Sequence, residues 1–451
     1  MKYLILFLQI FFLKCFHCKY LIYPFIQNKY DNLEEIPEII SELSSLEYYT
    51  NITIAEPPQT IRSFIDFTKF HFYISNVSSN REYILENSNS FNTKYDHEFI
   101  LYTYSFVSGK YANETLTVDL KNINSSFPNE IIKIKNFTFS MPSTISILNR
   151  KMFPSSIGLG FYAYNSNTKL NFLIQLNEKG ILNNSYFFFD FEDDFSGKLY
   201  LGVLPHDIYP KKYSEDNFYK LYTNIDNVLA EWSFKGLLTY NYNKEENNYS
   251  IYKNKVKVVL DLNLNGLIMD YIYFNVFNRT FFHEYLKNDI CKIKHKDYYY
   301  IYCEKDKIDI TKFKTIYYYQ KDFNYTFSFD YNDLFITKKN YIIFNIFFED
   351  NGFTLLIYGG KIFLRKYLFA FNYEQKMIGF YLESREEKGL IPENKNNPSE
   401  ILLIFLLIFI FLLFLFLIIL LLKYCCGNKG RKIRKNELDD SYDYSIQKND
   451  D

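Results

Sequence analysis

From about Asn51 to Ser384 the chain runs in short alternating apolar and polar stretches, among them ETLTVDL, NEIIKIKNFTFS, GKLYLGV and NKVKVVLDL, separated by turn residues. A period of two puts successive side chains on opposite faces of a strand, so the pattern predicts a β-rich body. Only LNFLIQLNEKGIL and DYIYFNVFNRTFFHEYL carry helical spacing, and the first closes on Gly180 as a helix C-terminus should. One feature recurs: an acid follows an apolar strand at Asp66 and at Asp261, and an apolar-Gly turn comes roughly a hundred residues later, at Gly158 and Gly360. Two related β lobes fit that recurrence better than one barrel.

The two ends of the chain lack this alternation. Residues 1–18 open on MKYLILFLQIFFLKC, one early Lys before an apolar core too short to span a bilayer, which reads as a secretory signal. Ile401–Leu422 is an unbroken apolar run of 22 residues, long enough to cross a membrane as a helix. Lys423, Lys429, Arg431, Lys432, Arg434 and Lys435 follow it and place that side in the cytoplasm. The expected topology is single-pass type I, in the secretory pathway or at the plasma membrane, with a lumenal or extracellular body. The order is then signal 1–18, an acidic leader 19–50, lobes 51–212 and 213–384, a polar stalk 385–400, the span 401–422 and a tail 423–451. Cys425 and Cys426 at the membrane exit are either palmitoylation sites or unmodified thiols.

Composition narrows the chemistry. A net charge of −1 suggests no polyanionic partner, so nucleic acid is not expected. The 44 Tyr and 47 Phe belong to a mix, with abundant Asn, Lys and Ile, that A/T-rich coding produces by itself, so aromatic patches carry little weight. Scattered histidines give no metal-ligand spacing, and no Gly-x-Ser-x-Gly, phosphate loop or dinucleotide fingerprint occurs. No metal or cofactor is expected. With Cys15 and Cys18 lost with the signal, an oxidising compartment favours pairing Cys291 with Cys303. Asn-x-Ser/Thr acceptors stand at Asn51, Asn76, Asn113, Asn124, Asn136, Asn183, Asn248, Asn278 and Asn324, all in the body.

Several long segments carry a family resemblance. IAEPPQTIRSFIDFTKFHFYI resembles the first-lobe entry of the pepsin-like aspartic peptidases, with Asp66 at the catalytic position. YSFVSGKYANETLTV is similar to their flap hairpin, which puts Tyr104 near the flap tyrosine that faces substrate. The stretch from SSIGLGF to GKLYLGVLP looks like their turn, helix and closing strand pair. VVLDLNLNGLIMDYIYFNVF aligns with the second catalytic loop and places Asp261 there, while Cys291 and Cys303 correspond to a second-lobe disulfide. The resemblance implies an all-β bilobal pepsin-like fold with a few short helices, here with a C-terminal transmembrane helix added.

In that family two carboxylates share one proton and act as base and acid on a water and a peptide carbonyl. The residues after each Asp hold them: a small hydroxyl bonding across the lobes, a Gly, then a Ser or Thr. Here the loops read Asp66-Phe67-Thr68-Lys69 and Asp261-Leu262-Asn263-Leu264, so that support is degraded in both. Lys69 within reach of Asp66 would oppose the shared proton, and an apolar contact between Phe67 and Leu262 is expected to replace the polar cross-lobe bond. The sequence therefore points to an aspartic-peptidase-like membrane protein of weak or no activity, whose interlobe cleft binds extended peptide or protein segments. The alternatives are a divergent endopeptidase using Asp66 and Asp261, and a non-catalytic surface structural protein.

Overall fold

A computed structural model describes residues 19–28, 35–67, 70–75, 82–102, 105–123, 127–142, 155–160, 170–223, 231–240, 242–243, 248–249, 254–320, 325–350 and 356–381. The expected signal, stalk, span and tail, with Cys425 and Cys426, lie outside these residues. Among the described residues no helix is long and apolar enough to cross a membrane.

Strands of the described residues form two large sheets, of 13 and 11 strands, and the chain adds a few short helices. The recurrence read from the sequence is visible in their pairing. In the first sheet Tyr48–Ile54 lies antiparallel to Gln59–Asp66, which runs parallel to Ser155–Gly158. Tyr73–Ile74 comes next, antiparallel, then Glu130–Pro142, parallel, then Ser105–Asn122, antiparallel. The second sheet repeats the same senses with Ser233–Tyr240, Asn254–Leu260, Leu356–Gly359, Leu267–Asp270, Ile346–Glu349 and Tyr299–Glu304. Asp66 therefore ends one strand opposite Gly158, and Asp261 follows Leu260, itself opposite Gly359.

Two segments depart from the expected boundaries. Lys19–Gln27, placed ahead of the body as a leader, is a strand of the first sheet, with Leu21 opposite Leu201. Its alternate residues Leu21, Tyr23 and Phe25 are buried, the period-two signature of a half-buried strand. Nor does the division at residues 212 and 213 separate the sheets. Phe369–Asn372 pairs with Tyr186–Phe191, and Met377–Tyr381 pairs with both Phe369–Asn372 and Phe218–Tyr222. The end of the described chain thus returns to complete the first sheet.

Both expected helices are present. Asn171 caps Phe172–Glu178 by accepting from the Ile174 amide at 3.0 Å, and Gly180 takes the left-handed turn after it, at φ 69°. Ile272–Phe277 continues through a π-helical turn, Asn278–Phe282, into His283–Lys287. Cys291 and Cys303 stand directly opposite each other in one hairpin and form the expected disulfide, both buried.

Candidate functional site

The strand Gln59–Asp66 brings Asp66 into a buried position, 2% exposed, where its carbonyl accepts from the Leu159 amide at 2.7 Å. The turn beneath it is tight: a side chain at Gly158 would run into the backbone of Phe70 and His71. The Asn171 carboxamide ties that turn together, donating to the carbonyls of Phe70 at 3.0 Å and Gly158 at 3.3 Å. Trp232, from the other half of the chain, donates its indole N–H to the Leu159 carbonyl at 2.7 Å.

Around Asp261 the same role falls to different groups. The Asp261 amide donates to Gly359 at 2.9 Å, and the Asn263 amide donates back to Asp261 Oδ1 at 2.9 Å. Leu262 and Leu264 are buried, 0% and 1% exposed, and Leu264 packs with Ile36, Ile39, Ile40 and Leu43 of the helix Ile36–Ser44. That helix and the residues after it also bond to the loop: Asn265 N–H donates to Leu43 at 2.9 Å and Leu46 N–H to Asn263 at 2.6 Å. Burial pushes the nearby Tyr358 hydroxyl above its usual range, and the charges of Glu231, Glu349 and Asp261 push it further. Burial likewise raises the Glu231 carboxyl, opposed by Lys257 at 3.6 Å.

One side chain joins the two loops. Asn263 Oδ1 accepts from the Phe67 amide at 3.3 Å, and its Nδ2 donates to the carbonyls of Ile65 at 3.3 Å and Leu46 at 3.2 Å. The residues on either side of Asp66 are therefore bound by one carboxamide whose own backbone binds Asp261. This corrects the expected Phe67–Leu262 replacement of the polar bond: a polar bond across the loops persists and comes from Asn263. Phe67 instead sends its ring among Phe371, Phe189 and Phe187, at centroid distances of 5.1, 5.8 and 6.3 Å. Asn263 stands where the family has a Gly, yet it is not among the positive-φ residues. Its carboxamide, not its backbone freedom, is what the fold uses.

Asp66 and Asp261 are thus brought to matching, joined loops. Thr68, Lys69 and Tyr104 lie outside the described residues. Of the glycan acceptors, Asn51, Asn136 and Asn183 are exposed and Asn278 is half-buried. Asn113 is buried with its Oδ1 accepting from Thr138 at 2.8 Å, which leaves no room for a glycan on the folded chain. Asn248 lies in the short strand Asn248–Tyr249, and Asn76, Asn124 and Asn324 lie outside the described residues. Among the described residues no group of His, Cys, Asp and Glu could hold a metal ion.

No family model and no curated protein matches the chain. Among solved structures it is similar to soybean basic 7S globulin, with a TM-score of 0.58 and 12% identity over 83% of this chain and 100% of that one. It is also similar to conglutin gamma, a basic 7S globulin from lupine seeds, with a TM-score of 0.58 and 13% identity over 81% of this chain and 95% of that one. The chain shares its fold with the basic 7S globulins. Identities this low carry the fold alone. The resemblance to the pepsin-like peptidases is not upheld as membership, because no family model supports it and the structures named here are globulins. Within the segments that suggested it, Asp66 and Asp261 fall at strand ends and Gly158 at a tight turn.

Proposed function

We propose that this chain is a non-catalytic β protein that acts through its outer surfaces, with Asp66 and Asp261 retained as parts of a structural junction. The observation that carries this reading is Asn263. The Asn263 side chain is spent on stitching Ile65, Phe67 and Leu46 together, while its amide still reaches Asp261 Oδ1 at 2.9 Å. Leu262 and Leu264 offer no polar atom on their side chains, and Phe67 is committed to aromatic packing. The side chains of Phe67, Leu262 and Leu264 therefore add no donor to the preorganised surroundings that proton sharing requires.

The test is direct. The purified full chain is incubated with an unfolded protein substrate from about pH 3 to about pH 7, the range in which carboxylates serve as acid and base. Cleavage no greater than that of the Asp66→Ala and Asp261→Ala variants is expected. Acid-optimum cleavage that is lost in both variants and blocked by a statine-type transition-state mimic overturns the proposal.

The reading also holds the body to a membrane through residues 401–422, on the lumenal or extracellular side. Its support is the apolar run and the basic residues that follow it. In sealed secretory-pathway vesicles, added protease is expected to clip the tail and spare the body; a digested body reverses the topology.

A further inference from the structure

The disulfide hairpin borders a surface cavity of about 360 Å³, at the small end of the range for ligand pockets. Its frame is fixed by backbone bonds. The Glu304 amide donates to Ile290 at 3.0 Å and the Lys305 amide donates to Asn340 at 3.0 Å, while Tyr302–Ile343 and Glu304–Tyr341 are paired across adjacent strands. The Cys291–Cys303 bridge sits one residue from Lys292 and Tyr302, which face each other across the hairpin. The rim is therefore built before any ligand arrives, which reduces the ordering cost of binding.

Two tyrosines, Tyr302 and Tyr341, line the cavity with ring centroids 5.6 Å apart and planes at 81°. Three lysines stand around them. Lys307 is engaged, 2.7 Å from Glu304, and the Glu304 carboxyl is held below its usual range by that bond. Lys292 and Lys305 have no carboxylate within ion-pair distance among the described residues, although Asp306 also lines the rim. A preformed cavity with aromatic walls and two ammonium groups outside any ion pair, Lys292 of which also helps hold the Glu304 carboxyl down, is complementary to a small ligand with an apolar ring face and a negative charge.

We propose that this cavity binds an anionic saccharide, a sugar ring carrying sulfate or carboxylate, with Tyr302 and Tyr341 against the ring and Lys292 and Lys305 on the charged group. The site is independent of the two acid loops and goes beyond the non-catalytic reading, which stands or falls separately.

The experiment titrates the purified full chain by calorimetry with a sulfated disaccharide, its unsulfated counterpart and inorganic sulfate. Binding of the sulfated disaccharide at least tenfold tighter than either control is expected, weakening as salt is raised. The double variant Lys292→Gln/Lys305→Gln should lose at least tenfold in affinity and Tyr341→Ala severalfold, while Lys307→Gln changes it little. The lysines are exposed, so thermal unfolding of the double variant should match that of the parent and exclude misfolding as the cause. Absence of binding, equal binding of inorganic sulfate, equal binding of the unsulfated sugar, or full affinity in the double variant each overturns the proposal.

Discussion

After Asp66 the chain buries an aromatic ring, Phe67, among Phe187, Phe189 and Phe371; after Asp261 it places Asn263, whose carboxamide makes three hydrogen bonds into the other half of the junction. The strands leading to both loops have the same pairing senses, so the difference lies in the loops themselves. The first loop is held mainly by apolar burial and receives hydrogen bonds from elsewhere. The second supplies them, and is itself held by polar contacts to Leu43, Leu46 and Lys361. A junction assembled this way needs no symmetric pair of hydroxyls.

The largest effect expected from breaking this arrangement is at the aromatic side. Phe67→Ala removes a fully buried ring and should destabilise the chain by about 3–5 kcal/mol in urea unfolding. A loss below about 1 kcal/mol would show that the ring contacts are incidental.

Asn263→Ala should cost somewhat less, about 2–3 kcal/mol, because it leaves the Phe67 amide and the Ile65 and Leu46 carbonyls without this partner. Asn263→Asp sharpens the test. It keeps an acceptor for Phe67 but loses the donor to both carbonyls, so it should recover little of that loss.

The smallest effect concerns Lys361, which follows Gly360 beneath the second loop and donates its amide to Leu264 at 2.6 Å. Its side chain is 6% exposed and donates to Gln27 Oε1 at 3.2 Å and to the Asp194 carbonyl. Burial lowers the ammonium to about 8; Asp193 and Glu42 partly offset this, and Lys338 adds to it. A lysine depressed on folding binds more protons in the unfolded chain between about 8 and its ordinary 10.5, so stability from this group rises with pH across that window. Relative to Lys361→Met, the wild type should gain about 2 kcal/mol over that interval. A constant difference between the two proteins from pH 7 upward would contradict the assignment.

Much of the fold was legible because strand periodicity and turn residues are local. The spacing of Asp66 to Gly158 and of Asp261 to Gly360 marked a repeat that the sheet pairings now display strand by strand. The helix ending at Gly180 and the Cys291–Cys303 bridge were equally local features. KYLIYPFIQ carried the alternation of a strand too, but its acidic neighbours drew it into a leader. The return of Phe369–Asn372 and Met377–Tyr381 to the first sheet could not be read, because alternation shows that a strand exists and not which strand it pairs with. Asn263 was hidden for a related reason. Its partners Ile65 and Phe67 lie 198 and 196 residues away, and only the folded chain places them within reach of one carboxamide.

The most direct measurement is hydrogen exchange at the Phe67 amide, compared between wild type and Asn263→Ala under native conditions. If Asn263 joins the two loops, that amide is protected in the wild type and exchanges at least tenfold faster in the variant, while the Leu159 amide, bonded to Asp66 within the first half, keeps its protection. Unchanged protection of Phe67 in Asn263→Ala would contradict the account.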